Sequence, residues 1–133
     1  MSGALVYVDV SEVREDARDS IAGAVDELAA FVEENVPGVL AYGVYLSDDQ
    51  SEMRVVHVPA GPESLDQHLE LGAPAFRKFA DLLTLKTIRI YGEPSDAAVE
   101  KAWEKARMLG CDDVVIRRQS AGFSRLKPIA KLD

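Results

Sequence analysis

The sequence predicts an α+β protein of the ferredoxin-like, split βαβ type: an antiparallel sheet with helices on one face, plus a C-terminal helix and strand extension. Three observations carry this. Segments rich in β-branched and aromatic residues alternate with period two at Leu5–Val10, Val39–Leu46, Met53–Val58 and Leu85–Tyr91. The middle two are separated only by the polar run Ser47–Glu52, which makes them partners in a hairpin. The other gaps carry apolar residues at three- and four-residue spacing, so the order is strand, helix, strand, strand, helix, strand.

In the first strand, Val6, Val8 and Val10 alternate with Leu5, Tyr7 and Asp9, and both faces are apolar enough to avoid bulk water. Ser11 is the expected N-cap of the helix that follows, with Glu12, Glu15 and Asp16 near its positive end. Val13, Ala17, Ile21, Ala24, Val25, Leu28, Phe31, Val32 and Val36 form its buried stripe, and Asn35, Pro37 and Gly38 end it. After the hairpin, Pro59, Gly61 and Pro62 turn the chain into a second helix, where Pro62 suits the first turn. Leu65, His68, Leu69 and Gly72 share a face there. A break is expected at Gly72 to Pro74, and Phe76, Phe79, Ala80 and Leu83 continue the stripe beyond it.

The fourth strand sets Ile88 and Ile90 against Arg89 and Tyr91. Gly92 and Pro94 punctuate, Ser95 caps, and Val99, Ala102, Trp103, Ala106 and Leu109 stripe a third helix that ends at Gly110. Val114–Arg118 is a short fifth strand, followed by a loop with Ala121, Gly122 and Phe123 and by tail-like last residues. Residues 1–92 are thus a core, and 93–133 a helix–strand extension of the same domain. The fifth strand either joins the sheet of its own chain or reaches across a dimer.

A chain of 133 residues can bury a core without staples. Its net charge of -8, with only the Arg117-Arg118 pair as a basic cluster, argues against nucleic acid and anionic membrane as partners. Cys111 is the single cysteine, flanked by Asp112 and Asp113, and reads as a packing residue in a reducing compartment. No charged-then-apolar leader opens the chain and no apolar run approaches the length of a membrane span, so a cytoplasmic location is expected. No glycine-rich phosphate loop, nucleophile triad, paired-carboxylate pattern or cysteine metal knuckle occurs.

The uncovered face of the sheet is expected to carry Tyr7, Tyr42, Val44 and Val55. An apolar face of that size marks an interface. A second copy is expected to pack its sheet there, giving a two-fold homodimer.

The most chemically suggestive stretch runs from His57 to Leu83, and its clearest piece is Leu65-Asp-Gln-His68 followed by Pro74-Ala-Phe76-Arg-Lys-Phe79. Together with the order of elements from Ala4 to Gly92, it resembles the antibiotic biosynthesis monooxygenase (ABM) superfamily of dimeric α+β barrel proteins. The resemblance implies a homodimer with a pocket in each subunit between sheet and helices. It also implies oxygenation of aromatic polyketides or quinols without metal or flavin, so no cofactor. A separate branch of that superfamily degrades haem through an Asn, Trp, His constellation, whereas the only tryptophan here is Trp103, outside the resembling core. Where the family often carries Glu on the third strand and an aromatic two residues later, this chain has His57 and Pro59.

His68 is the candidate catalytic residue, a general base for a phenolic or hydroquinone proton, since an unperturbed imidazole titrates at about 6.5. Its alternative is a hydrogen-bonded core histidine. His57, Tyr7, Tyr42, Phe76 and Phe79 are the candidate substrate-binding residues. Tyr7, Tyr42, Tyr45 and Tyr91 either donate to a quinone-like oxygen or sit at the dimer seam. Arg89 is expected in a salt bridge or solvated rather than against an anionic intermediate. His57 and His68 fall short of the three or four ligands of a metal site, so no metal is expected. The functional expectation is a cofactor-independent monooxygenase-like protein acting on a small aromatic or quinol-type substrate. The alternatives are a non-catalytic dimeric ligand-binding or structural module of the same fold, and a small-molecule-sensing regulatory domain.

Overall fold

A computed structural model describes residues 4–126. The strands are β1 (Val6–Val13), β2 (Val39–Leu46), β3 (Glu52–Pro59), β4 (Leu83–Tyr91) and β5 (Val114–Arg117). The helices are α1 (Ile21–Asn35), α2 (Pro62–Lys78) and α3 (Asp96–Met108), with single 3-10 turns at Glu15–Ala17 and Phe79–Asp81. The sheet order is β2-β3-β1-β4-β5. β1 runs antiparallel to β3 and β4, and β2 antiparallel to β3, which is the split βαβ arrangement. β5 lies parallel to β4 because α3 carries the chain back to the same end of the sheet. The fifth strand therefore joins the sheet of its own chain. The tail expected at the C-terminus falls, beyond 126, outside the described residues.

Several expected boundaries move. β1 continues to Val13, so Ser11 is a buried strand residue and not a helix cap. The ladder prevails there: Val13 N–H donates to the Ser51 carbonyl at 2.8 Å and Arg14 N–H to the Leu82 carbonyl at 2.9 Å, leaving no free end to cap. The register shifts between Val10 and Ser11, which marks a bulge in the β1–β4 pairing. α1 accordingly starts only at Ile21, burying Ile21, Val25, Leu28 and Val32.

α2 runs unbroken through Gly72 to Pro74. The amide missing at Pro74 would have bonded the carbonyl of Glu70, which lies on the exposed side of the helix where water replaces it. Gly72 is needed for a different reason: a Cβ there would fall on the Phe76 ring. Leu83, expected on the helical stripe, opens β4 instead. At α3 the expected cap is present, with Ser95 Oγ accepting from Ala98 N–H at 3.0 Å and donating to the Asp66 carboxylate of α2 at 2.9 Å. Arg89 forms a two-pronged bridge to Asp113 at 3.0 and 3.1 Å, tying β4 to the loop before β5. Cys111 is buried. No helix among the described residues is long and apolar enough to cross a membrane.

The face assignment of the sheet is the main correction. Tyr7, Tyr42, Val44 and Val55, expected on the open side, face the helices. Tyr7, His57 and Tyr42 form one cross-strand row, and Asp9, Val55 and Val44 the next. Tyr7 is 0 % exposed in the core. The open face instead carries Val6, Val8, Val10, Val56 and Val58, all partly exposed, with Tyr45 and Tyr91 more exposed at 60 % and 44 %. Alternation fixes which residues share a face but not which face is covered.

Candidate functional site

The site is built on the Tyr7–His57–Tyr42 row. α2 lies over it, and its buried stripe sets His68 and Phe76 above the row. The two imidazoles pack with centroids 4.1 Å apart. Tyr42 covers both, at 5.8 Å from His57 and 5.5 Å from His68. Phe76 closes the other side of His68 at 5.5 Å. Five of the six residues singled out in the sequence thus meet in one cluster. Phe79 lines a neighbouring cavity together with Tyr42 and Phe76 of the cluster and with Leu83 and Leu85.

Both histidines are 0 % exposed, and their four ring nitrogens have no hydrogen-bond partner among the described residues. Burial, with the Lys105 ammonium nearby, pushes His57 down to about 3. Burial first, then His57 and Lys105, holds His68 well below the usual imidazole range. Both rings are therefore neutral at pH 7, and each offers a lone pair. Burial and the Asp9 carboxylate raise the Tyr7 and Tyr42 phenols, which remain protonated.

Two further residues complete the cluster. Asp9 follows Tyr7 on the same face of β1, and Lys105 reaches down from α3. The Lys105 Nζ donates to Asp9 Oδ2 and to the Tyr7 hydroxyl oxygen, each at 2.9 Å, while that hydroxyl donates to Asp9 Oδ2 at 2.7 Å. The ammonium also lies 4.0 Å from the centroid of the Phe76 ring, a cation–π contact. Asp9 is 2 % and Lys105 8 % exposed. Sequence reasoning passes over both. Lys105 is visible in principle, since Ala98, Ala102, Lys105 and Ala106 share one helical face and all four are buried. Asp9 is visible as the lone acid inside an apolar strand.

Next to the cluster is a cavity of about 20 Å³, lined by Asp9, Lys105, Tyr42, Phe76, Phe79 and leucines of the core. That is room for about one water. On the far side of Tyr42, between the end of α1 and the edge strand β2, an open cleft of about 530 Å³ begins. Tyr42 belongs to both walls. Among the described residues no three His, Cys, Asp or Glu side chains are grouped to hold a metal ion.

The fold is shared with solved structures. MupZ from Pseudomonas fluorescens aligns with a TM-score of 0.69 at 14 % identity, over 92 % of this chain and 95 % of that one. Rv0793 from Mycobacterium tuberculosis aligns at 0.58 and 18 % identity, over 71 % of this chain and 99 % of its own. A protein from Chloroflexus aurantiacus J-10-fl described as a putative antibiotic biosynthesis monooxygenase aligns at 0.50 and 21 % identity, over 61 % and 82 %. At these identities the likeness is one of fold. No protein-family model and no curated protein matches the sequence.

Proposed function

We propose that this protein is an ABM-type, cofactor-independent monooxygenase-like protein that takes a small aromatic or quinol-type substrate between sheet and helices, with His68 as the base. The observation that supports it most is the setting of His68: both ring nitrogens are without a partner among the described residues, and the ring packs against His57 and against Tyr42 and Phe76, which line the neighbouring cavity. A hydroxyl proton passes to His68 and leaves the ring an electron-rich anion. Such an anion reacts with dioxygen at carbon directly, a step that asks for no metal or flavin. Phe76 and Phe79 supply apolar wall, His57 holds the His68 ring in place, and the protonated Tyr42 phenol can donate to a quinone-like oxygen.

We also propose a homodimer formed through the valine-rich open face, where the apolar surface of Val6, Val8, Val10, Val56 and Val58 would be covered by its equivalent in a second copy. The single buried cysteine suits a reducing cytoplasm. A second reading is a non-catalytic dimeric small-ligand-binding or structural module of the same fold, and the size of the cavity, which in this conformation admits only a water, favours its structural form. Oxygen uptake with a panel of quinols and anthrone-type phenols separates the two. The wild type is expected to consume oxygen without added metal or flavin, and His68→Ala to lose roughly 100-fold of the rate or more, the scale of a missing general base. No rate above the uncatalysed reaction for any compound would contradict the oxygenase reading and leave the binding module.

A further inference from the structure

We propose that the free edge of β2 takes a second copy of this chain, β2 against β2 and antiparallel about a two-fold axis at Gly43, and that Leu46 of the second copy enters the cleft beside Tyr42. This contact is separate from the valine-rich open face and does not depend on whether the site is catalytic.

The two edges of the sheet are β2 and β5, and they differ. β5 is four residues long, ends in Arg117 and is followed by Arg118, and short length and charge both protect an edge from pairing with another chain. β2 has neither protection: its eight residues, Val-Leu-Ala-Tyr-Gly-Val-Tyr-Leu, include no charge and no proline. Its one irregularity is the register shift between Val39 and Ala41, and from Ala41 to Leu46 every residue has a single partner on β3. Main-chain groups along the outer side of that regular span are open to an added strand. The cleft of about 530 Å³ opens at the same edge, on the helix side, with Val32, Val36, Leu40 and Tyr42 among its walls. A strand that carries an apolar side chain toward the helices satisfies edge and cleft together.

β2 itself is such a strand. A two-fold axis perpendicular to the sheet keeps the helices of both copies on one side, so directly opposed residues share a face. With the axis at Gly43, Tyr42 opposes Val44 on the helix side, an aromatic against a β-branched residue, and Ala41 opposes Tyr45 on the other. Leu46 of the second copy then stands opposite Leu40 at the cleft. Neighbouring registers fit less well. An axis at Val44 would bring a second Tyr45 over Gly43, where the chain's own Tyr45 ring already lies. An axis at Tyr42 would draw the shifted stretch at Val39 and Leu40 into the pairing. The axis at Gly43 instead sets Tyr45 beside Ala41, which is small and exposed. Because Tyr42 packs on both imidazoles, the second copy also closes the outer side of the histidine cluster.

The test is a register-specific cross-link. Directly opposed antiparallel residues have Cα atoms about 4.5–5.5 Å apart, within the span of a disulfide. Two copies of one position, 41 with 41 or 45 with 45, are displaced by four residues, about 13 Å, which a disulfide cannot bridge. Ala41→Cys and Tyr45→Cys change exposed residues, and the natural Cys111 is buried. Co-expressed and oxidised, the two variants are expected to give at least tenfold more disulfide-linked dimer than either alone, with peptide mapping joining positions 41 and 45. The same link, and a dimeric mass in sedimentation, are expected in a Val8→Asp background, which places a charge on the open face of the central strand β1. No link in the co-expressed pair, or equal linking of either variant with itself, overturns the proposal. Loss of the link or of the dimer in the Val8→Asp background overturns it too, and assigns the contact to the open face. Absence of oxygen uptake sinks the oxygenase reading and leaves this one standing.

Discussion

Lys105→Met alone is expected to lower the unfolding free energy by about 3–5 kcal/mol, the scale set by leaving one partner of a buried ion pair uncompensated. The substitution keeps the length and apolar stem of the side chain but removes the ammonium from between Asp9, Tyr7 and Phe76. Asp9, 2 % exposed, then retains only the Tyr7 hydroxyl as a hydrogen-bond partner among the described residues. Asp9→Asn/Lys105→Met should recover most of the loss, because the introduced amide carbonyl can still accept from Tyr7 and no charge remains buried. Urea unfolding of the wild type and both variants measures this. A single variant within about 1 kcal/mol of wild type would mean that water reaches Asp9 and that the pair is not the buried one described.

Acid should destabilise the protein through its histidines well above the pH at which carboxylates titrate. An unfolded histidine gains its proton near 6.5, whereas His57 in the fold does so only at about 3 and His68 well below its ordinary value. Between those limits the unfolded state binds more protons than the folded one, so stability falls as pH falls. Each histidine contributes about 1.4 kcal/mol per pH unit, and His57 alone amounts to about 5 kcal/mol across the window from 6.5 to 3. Unfolding free energies at a series of pH values between 7 and 4 test this, with His57→Phe expected to show a slope shallower by about one proton. Equal slopes would place solvent or a hydrogen-bond partner at the ring.

Most of the fold was legible because it depends on local pattern. The hairpin followed from Ser47–Glu52 between two alternating segments, and the α2 face from Leu65, His68, Leu69 and Gly72. What was not legible depended on tertiary competition. Ser11 has the chemistry of a helix cap, yet a bulged ladder between β1 and β4 claims its backbone. Pro74 looks like a break, yet the carbonyl it orphans faces water and the packed helix persists. The site shows the same division. His57, His68, Tyr7, Tyr42 and Phe76 converge because strand register and helix stripe bring them together. Lys105 and Asp9 are each marked in their own segment, one on the alanine face of α3 and the other inside an apolar strand, but their pairing shows only in the fold. The face of the sheet is read backwards because β1 is apolar on both sides and alternation does not say which side the helices cover.

The central claim, that a hydroxyaromatic binds against His68 and gives it a proton, is tested most directly by titrating isotopically labelled protein with an anthrone-type phenol under anaerobic conditions, where turnover stops. The resonances of the Tyr42 ring and of both imidazoles should shift together and saturate at one concentration, with an added proton on a His68 nitrogen. Saturable binding that leaves Tyr42, His57 and His68 unmoved, or no binding at all, would contradict it.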